Sequence, residues 1–179
     1  MLKKYFPYEH VKSVFNIDYK KLYSLGFKGI IFDIDNTLVL HGADSNPQVD
    51  ALFSYLHDIG FKTLLLSNND EERIKRFIKN IDTLYISDAD KPKVDNYYKA
   101  VGMLGLEKSE TVVIGDQLFT DIYGANKSGI PNILVDFLRR ENETNFGKKR
   151  LLEKYILKFY GKCKKKNSIG NIYSERGCF

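Results

Sequence analysis

Cysteine is scarce in this chain of 179 residues, and both cysteines, Cys163 and Cys178, lie near its C-terminal end. A disulfide framework or a Cys-type zinc site holding the fold together is therefore excluded. No apolar run approaches the length needed to cross a bilayer, and the opening stretch MLKKYFPYEH lacks the apolar centre of a secretory signal. Internal repeats and long Gly/Pro/Ser-rich linkers are also missing. What is present is ordinary globular usage, 43% hydrophobic and 28% charged residues, which rules out a disordered or collagen-like chain. These features lead us to expect a one-domain, soluble protein of a reducing compartment, the cytoplasm.

Charge is unevenly distributed along the chain. Residues 1–28 hold six lysines against Glu9 and Asp18, residues 29–138 hold 10 basic and 17 acidic side chains, and residues 139–166 hold 11 basic and 3 acidic ones. An acidic middle with basic ends suits a cation site flanked by surfaces for an anionic partner, or else solvated lysine faces.

Five short apolar runs recur, Gly29–Phe32, Thr63–Leu66, Leu84–Ile86, Val112–Ile114 and Ile133–Val135. They lack polar alternation, as strands buried on both faces of a parallel sheet do. Helix signals lie between them. Asn46-Pro47 opens a helix that Gly60 ends, Asn69 or Asp70 caps a second, Pro92 opens a third, and Gln117–Ser128 closes at Gly129. The alternation predicts a Rossmann-like, doubly wound α/β fold with a mainly parallel five-stranded sheet. Three segments are expected: a basic, aromatic, helical N-terminal segment (1–27), the core (28–147), and a basic amphipathic helix with a mobile tail (148–179). In that helix, Lys148–Tyr160, the residues Leu151, Leu152, Tyr155, Ile156, Phe159 and Tyr160 share one side, with Arg150, Lys154 and Lys158 opposite. Such a helix packs on the sheet or lies on a membrane surface.

The chemistry-bearing residues fall at the strand ends, where open α/β sheets bind ligands. Asp33 and Asp35, in Asp33-Ile34-Asp35-Asn36-Thr37, are placed to reach one crevice, and two carboxylates there can divide nucleophilic and proton-transfer work. Asp116 ends the fourth run and is a second candidate ligand, with Asp33, for a hard cation such as Mg²⁺. Asp121, a turn further on, is placed to orient the site or a lysine. Ser67-Asn68-Asn69 offers a hydroxyl and amides at a helix start, a phosphate cradle. Lys91 can supply positive charge to a phosphoryl group in transit, with Lys93 as the competing candidate.

Together these residues resemble the four motifs of haloacid-dehalogenase-superfamily (HAD) phosphatases, matched in order by Asp33–Thr37, Ser67, Lys91 and Asp116–Asp121. The segments MLKKYFPYEHVKSVFNIDYKKLYSLGFKGIIFDIDNTLV, LLLSNN, KP and VIGDQLFTDIYGAN are similar to the YqeG-type IIIA group, which includes phosphatidylglycerophosphate phosphatases. The resemblance implies that Asp33 is the nucleophile and a Mg²⁺ ligand, and that Asp35 is the acid/base and offers its backbone carbonyl to the metal. It further implies that Thr37 orients the site, that Ser67, Asn68 and Lys91 hold phosphate, and that Asp116 completes the metal ligands. Dehalogenases of the superfamily lack an aspartate at the position of Asp35, so phosphoester hydrolysis is the expected reaction.

Only 29 residues separate Thr37 from Ser67, and 23 separate Ser67 from Lys91, leaving no room for a large cap domain. An open crevice suits a phosphate carried on something large. A phospholipid headgroup at the inner membrane face is expected, with nucleic-acid ends, nucleotides or other phosphate esters as the alternative. A phospho-acceptor signalling domain is the non-enzyme alternative. Tyr5, Phe6, Tyr8 and Phe15, beside Lys3, Lys4 and Lys12, favour an anionic membrane surface.

Overall fold

The computed structural model describes residues 2–139, 148–162, 167–175 and 177–178. Six parallel strands form one sheet: β1 (Glu9–Val11), β2 (Gly29–Phe32), β3 (Lys62–Leu66), β4 (Leu84–Ile86), β5 (Thr111–Gly115) and β6 (Asn132–Val135), in the order β1-β6-β5-β2-β3-β4. The helices are α1 (Tyr19–Ser24), α2 (Pro47–Ile59), α3 (Glu71–Phe77), α4 (Asp95–Leu104), α5 (Tyr123–Ser128) and α6 (Lys148–Tyr160).

The unbroken apolar runs of the central strands follow from burial on both faces. Ile30, Phe32, Leu65, Val112 and Ile114 point into a core shared with α1, α2 and α3. Their neighbours Ile31, Leu64, Leu66 and Val113 point the other way, against Tyr97, Ala100 and Leu104 of α4 and Ala125 of α5. Helix ends follow the expected chemistry. Asn46 accepts from the backbone N–H groups of Gln48 and Val49, and Gly60, at φ 106°, closes α2 in the left-handed conformation. Asp70 rather than Asn69 caps α3, accepting from the N–H of Arg73 at 2.8 Å. The stretch after Gln117 differs from a continuous α-helix: Leu118–Ile122 form a wider π-helical turn before α5 begins.

The sheet has one strand more than the sequence reading gave. Glu-His-Val is too short and too polar to signal a strand by itself, and it is held by pairing Glu9, His10 and Val11 with Ile133, Leu134 and Val135 of β6. Three of the four N-terminal aromatics, Tyr5, Phe6 and Phe15, pack on the protein itself and not outward as a membrane role would need. Tyr5 packs on Phe119 and Tyr123, Phe6 on Tyr160, and Phe15 against the core.

At the C-terminal end the described residues 167–175 fold back onto the N-terminal segment, unlike the mobile tail expected. One carboxylate oxygen of Glu9 accepts from the N–H groups of Ile169 and Gly170 and from the Ser168 hydroxyl. The N–H of Asp18 donates to Ile172 at 2.7 Å, and that of Ser174 to Asn16 at 2.8 Å. Ile172, 1% exposed, completes the core beside Ile17. Sequence reading missed this because no local periodicity marks a single apolar anchor in a polar stretch. Cys163 and residues 140–147 lie outside the described residues.

Because Ile172 fills a fully packed position, Ile172→Ala is expected to cost about 2–4 kcal/mol of unfolding free energy. Urea denaturation followed by far-UV circular dichroism measures this, and an unchanged midpoint would contradict the anchoring role.

Candidate active site

The chain runs from β2 outward to β3 and β4, then returns across the sheet to β5 on the other side of β2. The reversal leaves a crevice between the C-terminal ends of β2 and β5, the place where this architecture binds ligands. Register pairs Phe32 with Ile114, and the N–H of Asp33 donates to the carbonyl of Ile114 at 2.9 Å. Asp33 and Asp116 therefore leave adjacent strands at the same edge.

Four predicted residues meet there around Asp33. Lys91 Nζ donates to Asp33 Oδ1 at 2.6 Å and to Asp121 Oδ1 at 2.7 Å. The Thr37 hydroxyl lies 2.9 Å from Asp33 Oδ2 and 3.3 Å from Asp116 Oδ1. Asp121 also accepts from the N–H of Gln117, so the π-helical turn holds its carboxylate between strand end and lysine. Gly115 permits this approach, since a Cβ at that position would sit 2.5 Å from Asp121 Cβ and Cγ. Lys93 pairs instead with Asp90 in solvent, so of the two candidate lysines it is Lys91 that enters the crevice.

Burial sets the electrostatics. Ligand oxygens of Asp33, Asp116 and Asp121 all lie within 4.8 Å of one another, and all three residues are buried. Desolvation, only partly offset by Lys91, pushes Asp33 up to about 6. Desolvation, together with the charges of Asp33 and Asp121, pushes Asp116 up to about 8. The same pair of carboxylates outweighs the desolvation of Lys91 and holds it protonated. Three crowded carboxylates, of which Asp33 and Asp116 resist ionising, are a donor set of hard oxygens that could hold a divalent cation, whose charge would favour their ionised forms.

Asp35 stands outside this cluster, on the side of Ser67, to which Asn69 Nδ2 links it. Its carboxylate accepts from Asn69 Nδ2 at 2.7 Å, from the N–H of Gly42 at 3.0 Å and from Arg73 Nη2 at 3.1 Å. Burial raises its pKa, but these bonds and the charges of Arg73 and His41 outweigh it, leaving the group below the usual carboxylate range. Ser67 is buried at the end of β3, its hydroxyl accepting from Asn69 Nδ2 at 3.0 Å. Asn68 accepts from the backbone N–H of Lys91 at 2.8 Å and so steadies the lysine's loop.

Two arginines, Arg73 and Arg150, contact the candidate site residues without having been marked by the sequence. Arg73, in the first turn of α3, and Asn69, in the loop just before that helix, both reach the Asp35 carboxylate. The sequence pattern puts Arg150 on the basic side of α6 with Lys154 and Lys158, yet its guanidinium donates to the backbone carbonyl of Asp116 at 2.9 Å and pairs with the Asp116 carboxylate. Glu153 braces it at 3.0 Å and accepts from the N–H of Leu118 at 2.8 Å. No local signal marks Arg150, because its partner is 34 residues away.

A family model of haloacid dehalogenase-like hydrolases matches residues 42–129, which include Ser67, Lys91, Asp116 and Asp121. The Bacillus subtilis (strain 168) protein named "Probable phosphatase YqeG" is 42% identical over 137 residues, covering 75% of this chain and 80% of that protein. The Arabidopsis thaliana phosphatidylglycerophosphate phosphatase 1, chloroplastic/mitochondrial, is 28% identical over 149 residues, covering 76% of this chain but 42% of that protein. Among solved structures, NagD from E. coli K-12 superposes with a TM-score of 0.54 at 14% identity, covering 67% of this chain and 94% of that one. An uncharacterized Listeria monocytogenes serotype 4b protein gives 0.53 at 20% identity, covering 76% and 100%. These two establish a shared fold.

The chain belongs to the haloacid dehalogenase-like hydrolases. Within them it is a phosphatase, with α2 and α3 alone filling the connections where a large cap would be inserted.

Two outcomes are expected. Mg²⁺ at about 100-fold over its dissociation constant should stabilise the protein by about 2.7 kcal/mol, a rise of roughly 5–10 °C in melting temperature. Asp116→Asn should abolish that response, and an equal shift in both proteins would contradict the cation assignment. Lys91→Met leaves two buried carboxylates without their cation and should cost about 3–5 kcal/mol in chemical denaturation, whereas Lys93→Met should leave the melting temperature unchanged.

Proposed function

We propose that this phosphatase is a Mg²⁺-dependent phosphomonoesterase that works through an aspartyl-phosphate on Asp33. The observation that carries the reading is the crevice between β2 and β5, where Asp33 lies between the Thr37 hydroxyl and the Lys91 ammonium. An Asp33 carboxylate oxygen attacks phosphorus and the bond to the ester oxygen breaks, while Asp35 gives its proton to the departing alkoxide. Asp35 then takes a proton from water, whose oxygen attacks the same phosphorus. The bond to Asp33 breaks and inorganic phosphate leaves.

Lys91, Ser67 and Thr37 hold the oxygens of the phosphoryl group, and Asn68 and Asp121 hold Lys91 in place. Asp33, Asp116 and the Asp35 backbone carbonyl would hold Mg²⁺, which when bound neutralises charge on the phosphoryl oxygens. Asp35 starts out ionised beside Arg73. The arriving phosphate dianion, a like charge, favours its protonated form.

The substrate we propose is phosphatidylglycerophosphate, hydrolysed to phosphatidylglycerol by an enzyme peripheral to the inner face of the cytoplasmic membrane. Two observations support this: the similarity to the Arabidopsis lipid phosphatase, and a crevice without a large cap, open to a phosphate carried by a bulky body.

Phosphate release from phosphatidylglycerophosphate in mixed micelles tests the reading, with glycerol 3-phosphate, a nucleotide and a 3′-phosphorylated oligonucleotide in parallel. Metal-dependent release is expected from the lipid, with Asp33→Asn lowering kcat on the order of 10⁴-fold while the circular dichroism spectrum is retained. Preference for the oligonucleotide would move the substrate to nucleic-acid ends. Undiminished turnover by Asp33→Asn would overturn the nucleophile.

A further inference from the structure

Helix α6 has two working faces, and the fold uses only one. Successive residues of an α-helix turn by about 100°, which puts Arg150, Glu153, Ile156, Leu157 and Tyr160 on one arc. That arc packs inward: Ile156 and Leu157 join Leu118, Ile122 and Leu134, while Arg150 and Glu153 reach the Asp116 loop. Leu151, Leu152, Tyr155 and Phe159 occupy the opposite arc, and their exposures are 48%, 53%, 65% and 55%. Single exposed apolar residues are ordinary, but four large ones in a contiguous stripe on one helix are not.

The flank of this stripe is cationic. Lys154 and Lys158 stand along its edge, both exposed, and the one acidic residue of the helix, Glu153, is buried and paired with Arg150. An apolar stripe bordered by lysines, on a helix whose own carboxylate is buried, is complementary to an anionic lipid surface. It is poorly matched to a second copy of itself, since a twofold contact would bring two lysine rows together.

We propose that α6 docks this phosphatase on anionic bilayers through Leu151, Leu152, Tyr155 and Phe159, with Lys154 and Lys158 at the level of the lipid phosphates. The docking element is also part of the site, because Arg150, one residue before Leu151, is the side chain that holds Asp116. A hollow of about 310 Å³ lined by Asp116, Arg150, Leu118, Leu134, Lys154 and Leu157 joins the two. Docking through α6 therefore brings the crevice next to the headgroup layer. The proposal deepens the lipid reading and rests on it for the substrate, but the docking itself is measured separately.

The test is co-sedimentation of the full chain with phosphatidylcholine vesicles and with vesicles that also contain phosphatidylglycerol. Hydrolysis of para-nitrophenyl phosphate, a soluble ester, is followed in the same samples. Wild type should sediment with the anionic vesicles only. Leu152→Ser/Tyr155→Ser/Phe159→Ser should reduce the bound fraction about tenfold or more, and Lys154→Glu/Lys158→Glu should abolish the anionic preference. Soluble-ester turnover should be unchanged in the triple variant, showing that the fold and crevice are intact. Vesicle binding by the triple variant equal to wild type would overturn the proposal. So would no binding by wild type, or light scattering showing a wild-type dimer that the triple variant dissolves. Vesicle binding with no turnover of any phosphate ester would instead refute the phosphatase chemistry while leaving the docking face standing.

Discussion

The arrangement depends on one buried ammonium. Lys91, its side chain 5% exposed, bridges Asp33 at the end of β2 and Asp121 in the turn after β5. Those segments meet only because the sheet reverses direction between them, and their carboxylates would repel one another without a cation. Lys91 compensates part of that charge and Arg150 another part, from the opposite side. Three carboxylates facing two cations gather oxygens that could hold a divalent ion.

Much of this was legible in the sequence because it depends on local periodicity and on strand ends. Strands β2 to β6 were found to within a residue at each end, since burial writes itself as unbroken apolar runs, fully so in β2, β5 and β6. Asp33, Thr37, Ser67, Lys91, Asp116 and Asp121 were found because each follows such a run or opens the helix after it. Lys91 and Lys93 could not be separated by sequence, as they are two residues apart in the same loop. The decision comes from three dimensions, where Asn68 fixes the Lys91 backbone and Asp90 draws Lys93 into solvent.

The elements that stayed hidden are those held by distant partners. Strand β1 exists because β6 offers it an edge, and Ile172 is anchored by residues of the N-terminal segment more than 150 positions earlier. Arg150 belongs to the same class. Its helix was read as one apolar side facing one basic side. In the structure the apolar side is divided, with Ile156 and Tyr160 inward and Leu151, Leu152, Tyr155 and Phe159 outward, and the arginine leaves the lysines to join the site. Periodicity locates a helix well, but it does not say which part of a wide apolar arc the core will take.

The central claim is that phosphoryl transfer passes through Asp33, and the most direct measurement is to trap the covalent intermediate. Acid quenching during turnover, followed by proteolysis and mass spectrometry, should find one phosphoryl group on the peptide containing Asp33, labile to hydroxylamine as an acyl phosphate is. Phosphate found on another residue, or steady turnover with no phosphorylated peptide in the quenched enzyme, would contradict the account.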